Sequence, residues 1–491
     1  MLRGSSIFTD LIFGIFFVNT HLSKSTPRGA FFDVFCQCEK LIFYKISTHN
    51  KALKLGGVEM KSIWTENSKI PQFDALDGDT SVDVLVVGGG LTGVLCAKTL
   101  DDAGVDYALI EADRICGGVT KNTTAKVTIQ HGLTCHEFLK KFGIEKTRLY
   151  FEAQSDALDK YREMCRGIDC NFEEKNAFVY STDNLTKIED ELRAYEKIGV
   201  KAHFEKDIPL PIKTVGAVKL TRQAQFDPLK FVSSVCQGLK IFEQTKALEF
   251  LPDGVLTNRG KIKAKSIIMA THFPIINKHG WYFIKMYQHR SYVLALSGAQ
   301  DVQGMYIDCE EKGLSFRNCG EYLLLGGGSH RTGKQGGGWN QLEVFAKKHY
   351  PNAKITHRWA TQDCMTLDSM PYIGHYSSGM SNLYVATGFN KWGMTNAMLS
   401  AMMLADMVRG KENRYADVFS PSRSILRTQL VCNLGQALLG WITPTTPRCP
   451  HLGCVLKYNR AEHTWDCPCH GSRFTEDGEL IDNPATDDKK M

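Results

Sequence analysis

Apolar positions along the chain switch between the short continuous runs of buried strands and the three-to-four-residue spacing of helices. Residues 82–87 (VDVLVV) are a β-branched run closed by glycines, the pattern of a buried parallel strand. Residues 94–103 (VLCAKTLDDA) continue as a helix with Gly104 just past its end, and 107–110 (YALI) form a second strand. Over 136–165, Phe138, Phe142, Leu149, Ala153, Leu158 and Tyr161 recur at helical spacing. Strands are predicted at 240–242, 267–274, 290–296 and 321–325. A strand, a glycine turn and a helix follow over 383–408, stopped by Gly410, and 425–441 is apolar and helix-like. Strands and helices mix throughout, which predicts an α/β fold.

The amino terminus breaks this pattern. Residues 7–18 (IFTDLIFGIFFV) are apolar but carry Asp10, and they fall short of the roughly 20 residues a membrane-spanning helix needs. With Arg3 ahead of them they read as a weak signal or anchor segment. Residues 19–59 show no clear period, whereas Met60 begins a well-patterned sequence. Gly56 and Gly57 can be encoded by GGAGG, a ribosome-binding sequence, so 1–59 also reads as upstream sequence foreign to the native protein. Only the anchored reading, resting on residues 1–20, brings the chain to a membrane. The remainder predicts a cytoplasmic protein.

A length of 491 residues predicts two or three domains. Hydrophobic residues at 43% and charged residues at 23% exclude wholesale disorder. The 59 basic and 53 acidic residues give a net charge of +6, spread without any Lys/Arg block, so composition gives no case for nucleic acid. Sixteen cysteines are too sparse for a disulfide-built scaffold, but four of them stand between 449 and 469. That density points to a metal site.

Between the first strand and the first helix lies Gly88-Gly89-Gly90-Leu91-Thr92-Gly93, a G-x-G-x-x-G. Gly88 allows the tight turn, Gly90 admits a pyrophosphate to the backbone, and Gly93 lets the helix sit close to the strand. The free N–H groups at Leu91 and Thr92 and the helix dipole attract that pyrophosphate. Glu111, ending the second strand, can accept from both hydroxyls of an unphosphorylated ribose. The motif alone does not decide between FAD and NAD.

Three further stretches bear on that choice: the Gly/Thr-rich loop 114–128, the strand 267–274 ending in ATHFP, and 383–396 (LYVATGFNKWGMTN). In this order they resemble the FAD-dependent amine and amino-acid oxidases of the D-amino-acid/glycine oxidase family. The likeness spans roughly residues 80–420. It implies a Rossmann-like FAD domain interleaved with an α+β substrate domain, the chain returning to the nucleotide half around 224–228. It also implies FAD contacts at Gly117 and Thr120 in the first loop, Thr271 in the second stretch, and Gly388, Met394 and Thr395 in the third. The third stretch would set a helix N-terminus against the flavin pyrimidine. No catalytic residue is identified; Lys126, His131 and His272 are candidates from position alone, each equally open to a cofactor contact or a structural role. Trp and Tyr residues of the substrate domain are read as core or as a substrate cage.

One departure bears on substrate. The stretch 359–374 (WATQDCMTLDSMPYIG) resembles the place where the amino-acid-oxidising members carry an arginine for the substrate carboxylate, and that position falls on Asp363. An acid there can receive an ammonium, which suggests a cationic amine rather than a simple α-amino acid. The alternative is an acid that caps or bridges a loop.

Near the end stand Cys449-x-His451, fifteen intervening residues, and Cys467-x-x-His470, a pattern that resembles the Rieske [2Fe–2S] ligand set. The likeness assigns Cys449 and Cys467 to one iron, and His451 and His470 to the other. It also implies a Cys454–Cys469 disulfide, and a hydrogen bond to the cluster from Ser472. Phe474 stands where a tyrosine would give a second such bond, which lowers the expected potential. A zinc knuckle is the competing reading. Rieske domains carry some forty residues of strand before the first ligand loop, and these are missing here. Either a segment has been lost, the domain leans on the flavoprotein, or no cluster assembles.

The predicted organisation is an extension at 1–79, a flavoprotein at 80–420, a linker helix at 421–444 and a small all-β Rieske domain at 445–491, short of its usual strands. The whole resembles bacterial FAD-dependent oxidoreductases with a carboxy-terminal Rieske domain. That implies hydride transfer from a small amine-like substrate to FAD, then single electrons through the cluster to an acceptor protein or quinone. Rival readings are an oxygen-using oxidase with a structural tail, and a redox carrier or sensor without a substrate.

Overall fold

In this computed structural model of the protein the described residues are 54–55 and 58–489, apart from 277–278, 426 and 444–446. The expectations for 7–18, and for 1–59 except the short stretches 54–55 and 58–59, lie outside them.

Five parallel strands make the centre of the eight-stranded nucleotide sheet. Thr80–Val87 lies between Tyr107–Ile110 and Lys261–Met269, and Ile241–Phe242 extends the sheet beyond Tyr107–Ile110. The carboxyl half of Lys261–Met269 also pairs in parallel with Met380–Thr387. These strands are buried on both faces, which is why their sequences are continuous β-branched runs. The first helix runs Leu91–Asp102, three residues earlier than its apolar spacing suggested, and ends before Gly104 at φ 67°. Helix Gly393–Val408 is buried over nearly its whole circumference, and so shows little amphipathic signal.

The substrate sheet is built on the long strand Met286–Ser297. It pairs antiparallel with Tyr322–Arg331 on one side and Lys354–Thr366 on the other. Toward the far edge, Glu173–Ser181 and Gly216–Gln225 pair antiparallel, and Lys126–Val127 adds to the latter. Helix Thr134–Met164 carries the chain across from the nucleotide half, bending at Gly143, where φ is 78°. Asp227 accepts from the N–H groups of Leu229 and Lys230 and caps the helix Pro228–Val235 on the return.

Among the described residues no strand stands between Ser420 and Cys449, as expected; four follow the first ligand loop, Lys457–Asn459, Thr464–Asp466, Arg473–Phe474 and Leu480–Asp482, and form an antiparallel sheet. Helix Thr428–Ile442 lies on the other side of the loops. There Gly440 is needed, because a Cβ would sit 2.9 Å from Cys469 Sγ. The remaining support comes from the flavoprotein. Gln288 Nε2 donates to the carbonyls of His470 (2.8 Å) and Asn483 (3.1 Å), and Gln362 Nε2 to that of Gly471 (2.9 Å). Arg331 Nε donates to Pro468 O at 3.2 Å, and Asn483 Nδ2 returns a bond to Thr271 O at 2.7 Å. Between the two parts Arg290 and Arg473 both clasp the largely buried Glu462, and Arg473 also meets Asp466 and Asp482. Burial pushes the Glu462 carboxyl up, but the two guanidiniums outweigh it and hold it down at about 2. The domain leans on the flavoprotein because a short chain has no other floor.

Candidate active site and cluster site

One cavity of about 1160 Å³ joins the nucleotide turn to the substrate sheet. Gly88, Gly90, Leu91, Thr92, Glu111, Gly117, Thr120, Thr271, Gly388 and Met394 all line it, as do Lys126, His131, His272 and Asp363. Gly93 and Thr395 do not. Gly93 lies under the turn, where a Cβ would be 1.9 Å from Gly88 O, and Thr395 Oγ1 is 3.1 Å from His131 Nε2. At Gly88 a Cβ would meet Ala270 O at 2.7 Å, whereas at Gly90 the nearest protein atom would be Thr120 Oγ1 at 3.7 Å. Gly90 is thus left open on its cavity side, a cradle that fits a pyrophosphate. Glu111 Oε2 accepts from Gly89 N at 2.6 Å and Oε1 from Asp113 N at 3.0 Å, so this acid braces the turn it also faces. Burial raises its pKa, against the pull of those two N–H groups.

The three position-based candidates separate. His131 is bonded to Tyr150 OH (2.5 Å) and to Thr128 O (2.9 Å) and stacks on Trp392 at 4.7 Å. Burial lowers its pKa to about 3, so it is a neutral structural ring. Burial, helped by Arg317, brings Lys126 down to about 7, leaving an amine that can lose its proton near neutral pH. His272 has φ 64° and a buried Nε2 with no hydrogen-bond partner.

The wall opposite the nucleotide turn has two working faces. Pleating alternates side chains, and residues directly across an antiparallel pair share a face. The pairs Tyr287–Met365, His289–Asp363 and Ser291–Thr361 face the cavity. Gln288, Arg290 and Gln362, between them, face the tail and hold it. Burial raises the Asp363 pKa, opposed by the charges of Lys391, His272 and Arg290.

At the other face the four cysteines converge. Cys454, Cys467 and Cys469 place their sulfurs within 4.8 Å of one another, and Cys449 hydrogen-bonds Cys467 and Ser472. The rings of His451 and His470 lie 4.9 Å apart at 88°. Burial lowers His470 to about 3 and His451 to about 4, so both imidazoles are neutral, the form in which a histidine can bind a metal. His470 Nδ1 is buried without a partner, the state expected of a nitrogen reserved for a metal. Two thiols and two neutral imidazoles fit a Rieske centre. Cys454 and Cys469, the pair for which the resemblance implies a disulfide, face each other across the two loops with their sulfurs within 4.8 Å. Phe474 is buried in a strand paired with Trp465.

Sequence reading missed several cavity residues: Lys246, Tyr287, His289, Lys391, Asp482 and Asn483. Strand periodicity could have set 287, 289 and 291 on one face, but nothing in a single sequence pairs that face with 361–365. Asp482 and Asn483 reach the cavity only because the tail folds back over its mouth.

Comparisons with known proteins agree with this arrangement. The family model "FAD dependent oxidoreductase" (DAO) matches residues 83–407, and "Rieske [2Fe-2S] domain" matches 412–490, which takes in the helix Thr428–Ile442. YhfW of Bacillus subtilis (strain 168), by name a putative Rieske 2Fe-2S iron-sulfur protein, is 34% identical over 87% of this chain and 96% of its own. Gamma-glutamylputrescine oxidoreductase of Escherichia coli (strain K12) is 24% identical over 72% of this chain and 89% of its own. The crystal structure of L-proline dehydrogenase from P. horikoshii superposes with a TM-score of 0.60 at 19% identity, covering 71% of this chain and 98% of that one. Among the described residues no helix is long and apolar enough to cross a membrane. The nucleotide turn, the interleaved sheets and the Cys/His loops therefore belong together: the chain is a member of the DAO family of FAD-dependent oxidoreductases, carrying a C-terminal Rieske [2Fe–2S] domain.

Proposed function

We propose that the chain oxidises a carbon–nitrogen bond of a small amine-like substrate in the cavity and passes the electrons singly, through the tail, to an acceptor protein or quinone. FAD supplies hydride acceptance, and a Rieske cluster converts a two-electron donor into one-electron steps. The observation that carries this reading is the two-faced strand pair: Asp363 and His289 on one side, the Gln288–His470 and Gln362–Gly471 bonds on the other. Redox sites that exchange electrons need closeness, and this one strand pair touches both the cavity and the tail. Asp363 offers a carboxylate to an ammonium, and His289, held near 3 chiefly by burial, remains neutral beside it. The relatives named as a gamma-glutamylputrescine oxidoreductase and an L-proline dehydrogenase support a C–N donor. The cofactor residues from Gly88 to Thr395, the cluster ligands Cys449, His451, Cys467 and His470, and the boundaries 80–420 and 445–491 are part of this proposal.

The test is anaerobic mixing of the holoenzyme with amines, followed by optical and EPR spectra. The expected result is a bleached flavin together with a rhombic Rieske signal. A bleached flavin that reoxidises rapidly in air while the cluster stays oxidised would make the chain an oxidase with a structural tail. Reduction by dithionite but by no amine would make it a carrier or sensor.

A further inference from the structure

Asp363 and Lys391 reach the same cavity from different elements, one from the strand Lys354–Thr366, the other from the turn before helix Gly393–Val408. That turn is unusual: Gly388 has φ 71°, and two adjacent non-glycine residues follow it in the sparsely used left-handed region, Asn390 at 51° and Lys391 at 73°. Such backbone persists only where its surroundings over-determine it. Here Asn390 Oδ1 accepts from Thr366 N at 2.8 Å, Asn390 Nδ2 donates to Gly388 O at 2.6 Å, and Asn390 N donates to Cys364 O at 3.0 Å. The strain is spent on aiming a lysine inward. Its ammonium finds a hydroxyl, Ser329 Oγ at 3.3 Å.

The Asp363 carboxylate makes no hydrogen bond or ion pair with any described residue. Burial and the neighbouring charges act on both groups: desolvation raises Asp363 and lowers Lys391, and each opposes that shift in the other. They sense one another without forming an ion pair. Two opposite charges kept apart inside a cavity are costly until each meets a counter-charge.

We propose that Asp363 and Lys391 are the two poles of the substrate site, and that the substrate is a zwitterion whose ammonium meets Asp363 and whose anionic group meets Lys391. This deepens the reading of the cavity as an amine-oxidising site and rests on it. Sequence placed an acid at 363; the second pole comes from the turn.

The test titrates the oxidised holoenzyme with ω-amino acids from glycine to 5-aminopentanoate, with pentylamine and pentanoate as single-charge controls, following perturbation of the flavin spectrum. At least one zwitterion is expected to bind about tenfold or more tighter than either control, since a second charge-assisted hydrogen bond is worth about that factor. Lys391→Met is expected to erase this advantage while leaving pentylamine binding unchanged. Asp363→Asn should weaken pentylamine and zwitterions but spare pentanoate, and Lys391→Arg should keep the wild-type order. Flavin content shows that each variant has folded. Pentylamine binding as tightly as the best zwitterion overturns the proposal, and so does a Lys391→Met enzyme that loses pentylamine equally, which would give the lysine to the flavin. In both cases the amine reading survives. No perturbation by any probe overturns both.

Discussion

His289 and Asp363 stand directly across from each other in the antiparallel pair of Met286–Ser297 and Lys354–Thr366, and both face the cavity. One residue earlier on each strand, Gln288 and Gln362 face the opposite way and hold the carbonyls of His470 and Gly471. A period of two thus assigns neighbouring residues to different chemistries.

Gln288 donates to two carbonyls of the tail, and Gln288→Leu leaves both buried and unmatched at a cost of about 1–3 kcal/mol. The expected enzyme still binds FAD and iron but moves electrons between them more slowly. Stopped-flow absorbance during a single anaerobic turnover measures this, and an unchanged transfer rate would show that the tether has no part in it.

Glu462 sits between Arg290 and Arg473, so Glu462→Gln removes the charge they share, leaving Arg473 to Asp466 and Asp482, and should cost about 1.5–3 kcal/mol. Its depressed pKa sets the sign with pH. The carboxylate's contribution is complete above its ordinary value of about 4.3 and is lost only as pH falls toward about 2. Thermal unfolding should therefore separate wild type from the variant at pH 7 and pH 5 alike, with the gap closing in stronger acid. A gap that closed already at pH 5 would contradict the ion cluster.

The glycines of the nucleotide turn should part company. Gly93→Ala drives a methyl to 1.9 Å from Gly88 O and should abolish folding, whereas Gly90→Ala meets nothing closer than 3.7 Å in the protein. A soluble, folded Gly90→Ala protein with its flavin largely lost is the expected outcome. Full flavin retention there would move the pyrophosphate elsewhere.

Alanine in place of a helical glycine ordinarily stabilises by about 1 kcal/mol. At Gly440 the new methyl would lie 2.9 Å from Cys469 Sγ and 3.4 Å from Cys454 Cβ. Gly440→Ala should lower iron content while FAD stays bound, as measured by iron analysis against flavin absorbance.

Local patterns made much of this legible. The strand 107–110 appears as Tyr107–Ile110, because a continuous apolar run with a glycine before it leaves little choice of register. The Cys and His residues that converge in the tail were readable as candidates because metal chemistry fixes residue type and spacing together. Helix starts were less so: Gly393–Val408 begins four residues before its apolar run, since its first turn is selected by the cavity it faces. The tail's support was illegible for another reason. Gln288, Gln362 and Asn483 act through contacts more than a hundred residues long in sequence, and a polar residue in a strand carries no mark of what it will hold.

The tail's missing floor has a consequence beyond this one chain. A cluster domain seated on another domain's sheet is no longer a portable module. Cut free, it would leave Pro468, His470 and Gly471 carbonyls facing water on one fragment and Arg290, Gln288 and Gln362 bare on the other. The two halves can be exchanged between relatives only as a matched set, lock with key, so their shared surface should change in step or not at all.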